Sequence, residues 1–158
     1  MFDYLKNHFE LFTREEYRQL NISAESKRIL CDIGLPEEPL PFLRFDVRAA
    51  DSLVMNDYVV IGSDFGTIVC LNSSGEVVSV DPESEYPTRF INANLTCFLK
   101  CIIIYLKHEK DVTEADDNEI DRLIADIKSE FTQADPHALQ SGENWWSIIL
   151  EQLETGML

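Results

Sequence analysis

The chain has 158 residues, a length that suits one domain with a single hydrophobic core. Its 13 Lys and Arg residues against 29 Asp and Glu residues give a formal net charge of −16. Because the few cations are scattered along the chain, this balance disfavours direct binding to nucleic acid. The apolar fraction of 45% is typical of a globular protein and argues against general disorder.

No segment predicts secretion or a membrane span. Residues 1–12 carry Asp3 and Glu10 and lack the basic leader and the apolar run of a secretory signal. The densest apolar stretch, 97–106, is interrupted by Lys100 and is shorter than the roughly 18 residues that a span requires. We therefore expect a cytoplasmic protein without membrane contact, whose cysteines are reduced thiols.

The first third of the chain predicts helices. Apolar residues from Leu5 to Phe12 recur at helical spacing, and Thr13 begins a capping-box pattern. Ser23 suits the cap of a further short helix, which Gly34 would end.

The middle of the chain predicts an antiparallel sheet. Short runs rich in Val, Ile and aromatic residues alternate with Gly-containing loops at 63–66 and 72–75, which have the length of hairpin loops. These runs predict a meander of about four to six strands, and their continuous apolar stretches indicate middle strands that are covered on both faces. The runs are 42–45, 53–55, 58–61, 67–71 and 77–80.

Helical patterns return in the last third. Asn94 is a suitable cap for a helix whose apolar residues continue to Leu106 at the spacing of a buried face. A second amphipathic helix starts after Thr113, and a third spans about 143–154. Strands in the middle and helices at both ends predict an α+β fold, in a single domain over 1–158.

No pattern predicts an active site. Cys97 and Cys101 lie one helical turn apart, but Cys31 and Cys70 do not form the close pairs of a zinc site, so buried thiols are the favoured interpretation. Residues 64–66 match the metal-binding triplet of kinases only in letters, because no glycine-rich phosphate loop accompanies them. We therefore expect no enzyme activity and no cofactor, with a hydrolase built on paired carboxylates as a minor alternative.

Uncompensated acidic residues lie on the predicted turns and rims of the meander. Between positions 49 and 88 there is no Lys or Arg, and a second acidic stretch at 109–121 includes acids that would suit the first turn of a helix. Such charge either serves solubility alone or forms an anionic docking surface for a cationic partner. The residues that we predict to bind a partner are Asp57, Asp64, Glu76, Asp81, Glu83, Glu85, Asp116 and Asp117.

Trp145 and Trp146 are adjacent, so their side chains point about 100° apart on a helix. This spacing predicts one core tryptophan and one that is partly exposed. An exposed tryptophan would be a candidate for an interface.

Several segments together are similar, in order and spacing, to the SUKH superfamily of immunity proteins, and most similar to its fourth subfamily. The similarity runs from about Cys31 to Leu158. Here Leu35-Pro36 leads to Glu37-Glu38-Pro39, unlike the better-known branch related to yeast cell-wall regulators, where an aromatic and an Asn-Gly element follow. The segments are Ile33-Gly34-Leu35-Pro36, 58–68, Gly75-Glu76-Val77-Val78, 90–95, Phe98-Leu99 with Cys101 and Tyr105, and 146–154.

The resemblance implies an α+β domain in which a curved antiparallel sheet packs on helices, encoded in bacterial polymorphic-toxin loci. Such a protein binds and neutralises a cognate toxin domain, for example a nuclease or a nucleic-acid deaminase. Because a toxin that acts on nucleic acid usually has a basic groove, we expect a partner with a basic surface. The shared residues look structural, so no functional residue is carried over. Our leading hypothesis is a monomeric immunity protein, and the alternative is a non-catalytic ligand-binding or scaffolding domain.

Overall fold

The computed structural model describes residues 1–45, 53–83 and 86–157, apart from the side chains of Asp117 and Asn118. In the described residues, the middle of the chain forms a six-stranded antiparallel sheet, and helices come before and after it. This arrangement confirms the predicted α+β class. In chain order the elements are α1 (Phe2–His8), β1 (Leu11–Phe12), a 3₁₀ turn (Glu15–Gln19), α2 (Ala24–Lys27), a π-helical turn (Arg28–Ile33), β2 (Leu35–Pro36), β3 (Leu43–Phe45), β4 (Val54–Met55), β5 (Tyr58–Asp64), β6 (Thr67–Leu71), β7 (Val77–Val80), β8 (Pro87–Asn92), α3 (Leu95–Glu114), α4 (Asp117–Ala134) and α5 (Trp145–Glu154).

The N-terminal segment differs in part from its prediction. Helix α1 is short, and Phe12 lies instead in strand β1, opposite Leu35 of β2. The predicted cap at Thr13 is wrong, since the 3₁₀ turn starts after Arg14 without a side-chain cap. Short isolated helices are marginal, and pairing β1 with β2 satisfies backbone groups that a longer helix would have used. The prediction for Ser23 is confirmed, because its hydroxyl accepts the backbone N–H of Ser26 at 3.0 Å.

The sheet is a meander with the order β3-β5-β6-β7-β8, and β4 pairs with β5 at its start. Strands β6 and β7 have the predicted bounds. Strand β5 runs beyond its prediction to Asp64, which pairs with Thr67 across the hairpin. Val69 belongs to the main core that the sheet shares with the helices, whereas Val60 and Val78 are buried in a separate cluster.

A meander places successive turns at alternate ends of the sheet. The turn at Asp57 and the loop that follows β6 lie at one end, which we call the Asp57 end. The turn at Phe65 and the segment that follows β7 lie at the other, which we call the Phe65 end. The seven-residue strand β5 separates the two ends by roughly 20 Å, at about 3.3 Å per residue.

Helix α3 begins as predicted, with the side chain of Asn94 accepting the backbone N–H of Cys97 at 2.9 Å. It continues to Glu114, so the first acids of the 109–121 stretch lie at the C-terminal end of a helix, where negative charge opposes the helix dipole. Only the later acids suit a helix start: Asp116 accepts the N–H of Glu119 at 3.1 Å, just before α4.

Gly62 lets strands β3 and β5 approach each other. A Cβ atom at this position would lie 2.4 Å from the carbonyl oxygen of Arg44, far inside van der Waals contact. The residue also sits where the register between β5 and β6 shifts, so the backbone bends there. The close approach therefore requires glycine.

We expect Gly62→Ala to lower the free energy of unfolding by about 2–3 kcal/mol, because the added methyl must displace a neighbouring strand. Urea denaturation followed by tryptophan fluorescence measures this loss. Gly142→Ala is the matched control, since no atom lies within 4 Å of its Cβ position, and its effect should stay within about 0.5 kcal/mol. Equal stability of the two variants would contradict the packing argument.

Candidate interaction site

Both tryptophans of α5 are buried, so the prediction that one would be partly exposed is wrong. Trp145 is 4% exposed and Trp146 is 0% exposed. The ring of Trp146 packs edge-on against Phe131 of α4 at 4.7 Å, and that of Trp145 packs against Phe42 and Phe98. Because α5 contacts both β8 and α4, two neighbouring faces of this helix are covered at once.

The indole of Trp146 ends in a buried polar network in which each group has a partner. Its Nε1 donates to Asn92 Oδ1 at 2.8 Å, and Asn92 Nδ2 donates to Asp135 Oδ2 at 2.8 Å. Asp135 also accepts the backbone N–H groups of Ala93 and His137. Burial by itself would raise the pKa of Asp135, but these hydrogen bonds outweigh it and hold the pKa below its ordinary value.

The indole of Trp145 ends in a network that is only partly satisfied. Its Nε1 donates to Asp64 Oδ2, and Asp64 is 8% exposed. Burial raises the pKa of Asp64, and the hydrogen bond from Trp145 and the positive charge of Arg89 oppose that rise only in part. Asp64 Oδ1 has no hydrogen-bond partner.

A cavity of about 240 Å³ lies beside this carboxylate. Its apolar lining comes from Phe65, Trp145 and two isoleucines of α5, and its polar lining residues are Asp64, Thr67, Ser79, Arg89 and Gln152. In the described part of the chain, the buried side-chain N and O atoms without a hydrogen-bond partner are Asp64 Oδ1, Ser79 Oγ and Arg89 Nε. All three belong to residues that line this one cavity, although proteins normally satisfy buried polar groups.

Phe65 stands at the rim of the cavity. Its side chain is 78% exposed, and its φ of 39° lies in the left-handed region that residues other than glycine seldom adopt. Its ring stacks on that of Phe42 at 6.1 Å, and both residues line a second cavity of about 370 Å³. Residues held in such a strained backbone conformation are concentrated at functional sites. We use the name Phe65 site for Phe65 together with Asp64, Ser79 and Arg89.

The structure divides the predicted partner-binding acids between the two ends of the sheet. Asp57 is exposed at the Asp57 end, and Glu76 is half-buried there, where it accepts a hydrogen bond from Asn72 Nδ2 at 2.7 Å. Asp81 and Glu83 are exposed at the Phe65 end, and the side chain of Asp81 accepts the N–H of Glu83.

The remaining predicted acids have different surroundings. Asp64 is buried against Trp145, so it does not contribute to an exposed acidic surface. Asp116 is exposed and accepts the N–H of Glu119 before α4. Glu85 and the side chain of Asp117 lie outside the described part of the chain. Partner binding by any of these acids stays a prediction.

Sequence reasoning missed Ser79 and Arg89. One signal was available for Ser79, which is the only polar residue in the strand Val77-Val78-Ser79-Val80 and is 1% exposed. Arg89 is the first cation after the cation-free stretch, which marks it as unusual but does not place it beside Asp64. The exposure of Phe65 was also missed, since the loop at 63–66 indicated a hairpin but not the direction of its aromatic side chain.

Within the described ranges, no group of three or more His, Cys, Asp or Glu side chains is arranged to hold a metal ion. The cysteine pair predicted to lie on one helix does so, with Cys101 buried and burial raising its pKa to about 12. A thiol with that pKa is protonated at neutral pH. Cys97 is only half-buried, so the prediction of buried thiols holds for Cys101 and in part for Cys97. The described helices include none that is both long and apolar enough to cross a bilayer.

The fold and this site define a class: an α+β domain with an exposed aromatic turn beside a polar cavity. Residues 8–152 match the SUKH-4 immunity protein family, which covers most of the chain. The protein belongs to this family, as the resemblance of its turns and helices predicted. Neither the curated proteins nor the solved structures provide a match.

Removing the charge of Asp64 should raise the stability of the protein, whereas removing the charge of Asp135 should lower it. Asp64→Asn keeps an oxygen for Trp145 and removes a poorly satisfied charge, so we expect it to raise the free energy of unfolding at pH 7 by about 1 kcal/mol. Asp135→Asn, the matched control, turns an amide N–H₂ toward N–H donors and should cost about 2 kcal/mol.

The pH dependence of urea denaturation checks the signs. The pKa of Asp64 is raised in the folded protein, so ionisation of Asp64 destabilises the fold as pH rises through that pKa. The pKa of Asp135 is lowered in the folded protein, so the stability that its carboxylate contributes is lost as pH falls through that pKa. Both variants should therefore approach the wild-type stability in acid, where the native carboxyl groups are protonated. Loss of stability in Asp64→Asn at pH 7 would show that its carboxylate is well satisfied.

Proposed function

We propose that this protein binds and neutralises the toxin domain of a bacterial polymorphic toxin, of a class that acts on nucleic acid. The family match over residues 8–152 carries the immunity function. The net charge of −16 supports a toxin with a basic surface, because a protein that handles nucleic acid needs cations for phosphate groups. The protein would act in the bacterial cytoplasm as a monomer, by occlusion and without catalysis.

The Phe65 end of the sheet is the surface that we propose for this contact. Asp81 follows Val80, whose partner in β6 is Ile68, so Asp81 comes next to the Phe65 hairpin. Asp81 and Glu83 are exposed there, and the stretch from 49 to 88 contains no Lys or Arg, so that Arg89 at the start of β8 is the first cation to follow them in the chain. An exposed aromatic ring beside acidic residues combines the apolar anchor and the charged rim of a protein interface.

The division of the acids between two ends has a consequence for association. Charges about 20 Å apart lie farther from each other than the Debye length of roughly 8 Å at physiological salt. A toxin seated over Phe65 would therefore be attracted mainly by the acids of that end. Acids at the Asp57 end would contribute little.

The first test is co-expression with the toxin domain encoded beside this gene. Cells that express both should survive, and the two proteins should purify as a complex. Cell death with no complex would sink the immunity function for that toxin. Survival without a complex would point to regulation that does not use direct binding.

The electrostatic part of the proposal predicts which charges set the association rate. Asp81→Asn combined with Glu83→Gln should slow association with the toxin by about threefold to tenfold at low salt, and high salt should remove the difference. Asp57→Asn combined with Glu76→Gln removes the same charge at the other end and should have a smaller effect. Stopped-flow kinetics at two salt concentrations measures both. Equal effects of the two pairs would contradict the assignment of the contact to the Phe65 end.

A further inference from the structure

A separate cavity of about 140 Å³ lies where helices α3, α4 and α5 meet, and we call it the Tyr105 pocket. Its apolar walls come from all three helices and are Val112, Ile127 and Leu153. Its polar lining comes from α3, where Tyr105, Glu109 and Thr113 follow one another at intervals of four residues. Side chains with this spacing lie along one stripe of a helix, and neighbouring Cβ atoms are about 5–6 Å apart.

Tyr105 brings a hydroxyl without a protein partner to this pocket. The residue is only 5% exposed, because its ring packs against Phe42 and Trp146 in the core. Within the part of the chain that the structure describes, its hydroxyl forms no hydrogen bond. The oxygen is not one of the inaccessible atoms that lack a partner, so a group in the pocket can reach it. Since a buried tyrosine normally has a partner for its hydroxyl, this one is open to a ligand.

Glu109 places a negative charge beside that hydroxyl. It is half-buried, and no cation among the described side chains pairs with it, since the neighbouring Lys110 pairs with Glu114. Burial and the charge of Glu109 raise the pKa of Tyr105 to about 12, so the carboxylate lies close to a hydroxyl that is neutral at pH 7. The pocket also lies toward the C-terminal end of α3, where the helix dipole is negative. Both features favour a positively charged ligand.

The oxygen atoms of the pocket can all accept hydrogen bonds. Thr113 donates its hydroxyl proton to the backbone carbonyl of Glu109 at 2.7 Å, so its oxygen can only accept a further bond. The carboxylate of Glu109 accepts only, and the hydroxyl of Tyr105 can accept. A primary ammonium matches this set, because it carries three N–H donors, no acceptor and a positive charge. An anion would be repelled, and a neutral alcohol would leave the charge of Glu109 without a counter-charge.

We propose that the Tyr105 pocket binds a primary ammonium on an aliphatic stem, which pairs with the carboxylate of Glu109 and donates to the hydroxyl of Tyr105. The apolar walls cover the stem. A water molecule needs only about 10–15 Å³ of such space, so about 140 Å³ accommodates a stem of several carbons. Two sources carry this group: a free aliphatic amine, and the lysine side chain of a protein, whose ammonium ends a four-carbon stem. This inference does not depend on the proposed function.

n-Butylammonium, which has the ammonium and the four-carbon stem of lysine, is the probe. The full chain, labelled with ¹³C in its methyl groups, is titrated and followed by NMR. We expect saturable shifts of the methyl signals of Val112, Ile127 and Leu153, and small changes at Val60 and Val78, which belong to a separate cluster. Butyrate and 1-butanol should bind at least about tenfold more weakly, because neither supplies a positive charge to Glu109.

Variants connect the shifts to the two polar groups. Tyr105→Phe removes the hydroxyl and keeps the ring in the core, and Glu109→Gln removes the charge. Each should weaken n-butylammonium binding by about tenfold. Glu114→Gln makes the same substitution as Glu109→Gln at an exposed position of α3 outside the pocket, and it should bind like the wild type. Urea denaturation checks that all three variants are folded.

A second ligand separates the two sources of the ammonium. Nα-acetyl-lysine methylamide carries the same stem on a peptide backbone, so binding as tight as that of n-butylammonium would assign the pocket to a lysine of a protein. Binding of n-butylammonium alone would assign it to a free amine. The proposal would be overturned by the lack of a saturable shift with n-butylammonium or by equal binding of 1-butanol. Folded Tyr105→Phe and Glu109→Gln variants that bind like the wild type would overturn it as well.

Discussion

The two indole N–H groups of Trp145 and Trp146 hold the last helix against the sheet, and the rest of the fold depends on where they end. One donates to Asp64 at the end of β5 and the other to Asn92 at the end of β8. An indole N–H in a core must find an acceptor, so these two side chains specify where α5 lies along the sheet. The surrounding rings of Phe98 and Phe131 then fill the space between helices and strands.

The two acceptors of the indole N–H groups differ in how fully they are hydrogen-bonded. Asn92 donates through Nδ2 to Asp135, whose carboxylate also accepts two backbone N–H groups. These donors stabilise the ionised carboxylate in the core. Asp64 receives one donor, and its second oxygen is buried without a hydrogen-bond partner. A core that satisfies one buried acid fully and a second one only partly gives up stability at the second, a pattern that proteins show where stability is exchanged for binding.

The position of Asp64 also relates the core to the surface. The same hairpin that buries the carboxylate of Asp64 turns Phe65 outward at a positive φ. The buried acid beside the cavity and the exposed aromatic ring therefore belong to neighbouring residues of the chain. A partner that covers the ring would at the same time close the cavity. Under the proposed function, this arrangement would place an apolar anchor, a polar cavity and exposed acids at one end of the sheet.

The sequence by itself determined the α+β class, the bounds of β6 and β7, the caps at Ser23 and Asn94 and the family, because each of these depends on local periodicity, on capping chemistry or on the order of motifs. It did not predict that both tryptophans are buried, since helical spacing describes a single helix and not the two elements that cover it. The acids were predicted to lie on the turns and rims of the meander and in the stretch 109–121, but those positions did not show that the acids of the meander fall at two opposite ends of the sheet.

Only the tertiary structure decided that the acids are divided between two ends of a meander and that Asp64 lies inside. Ser79 and Arg89 are separated from Asp64 by at least 15 positions and meet it only because antiparallel pairing and helix α5 bring them to one cavity. Long-range packing sets such a site, and no local pattern encodes it.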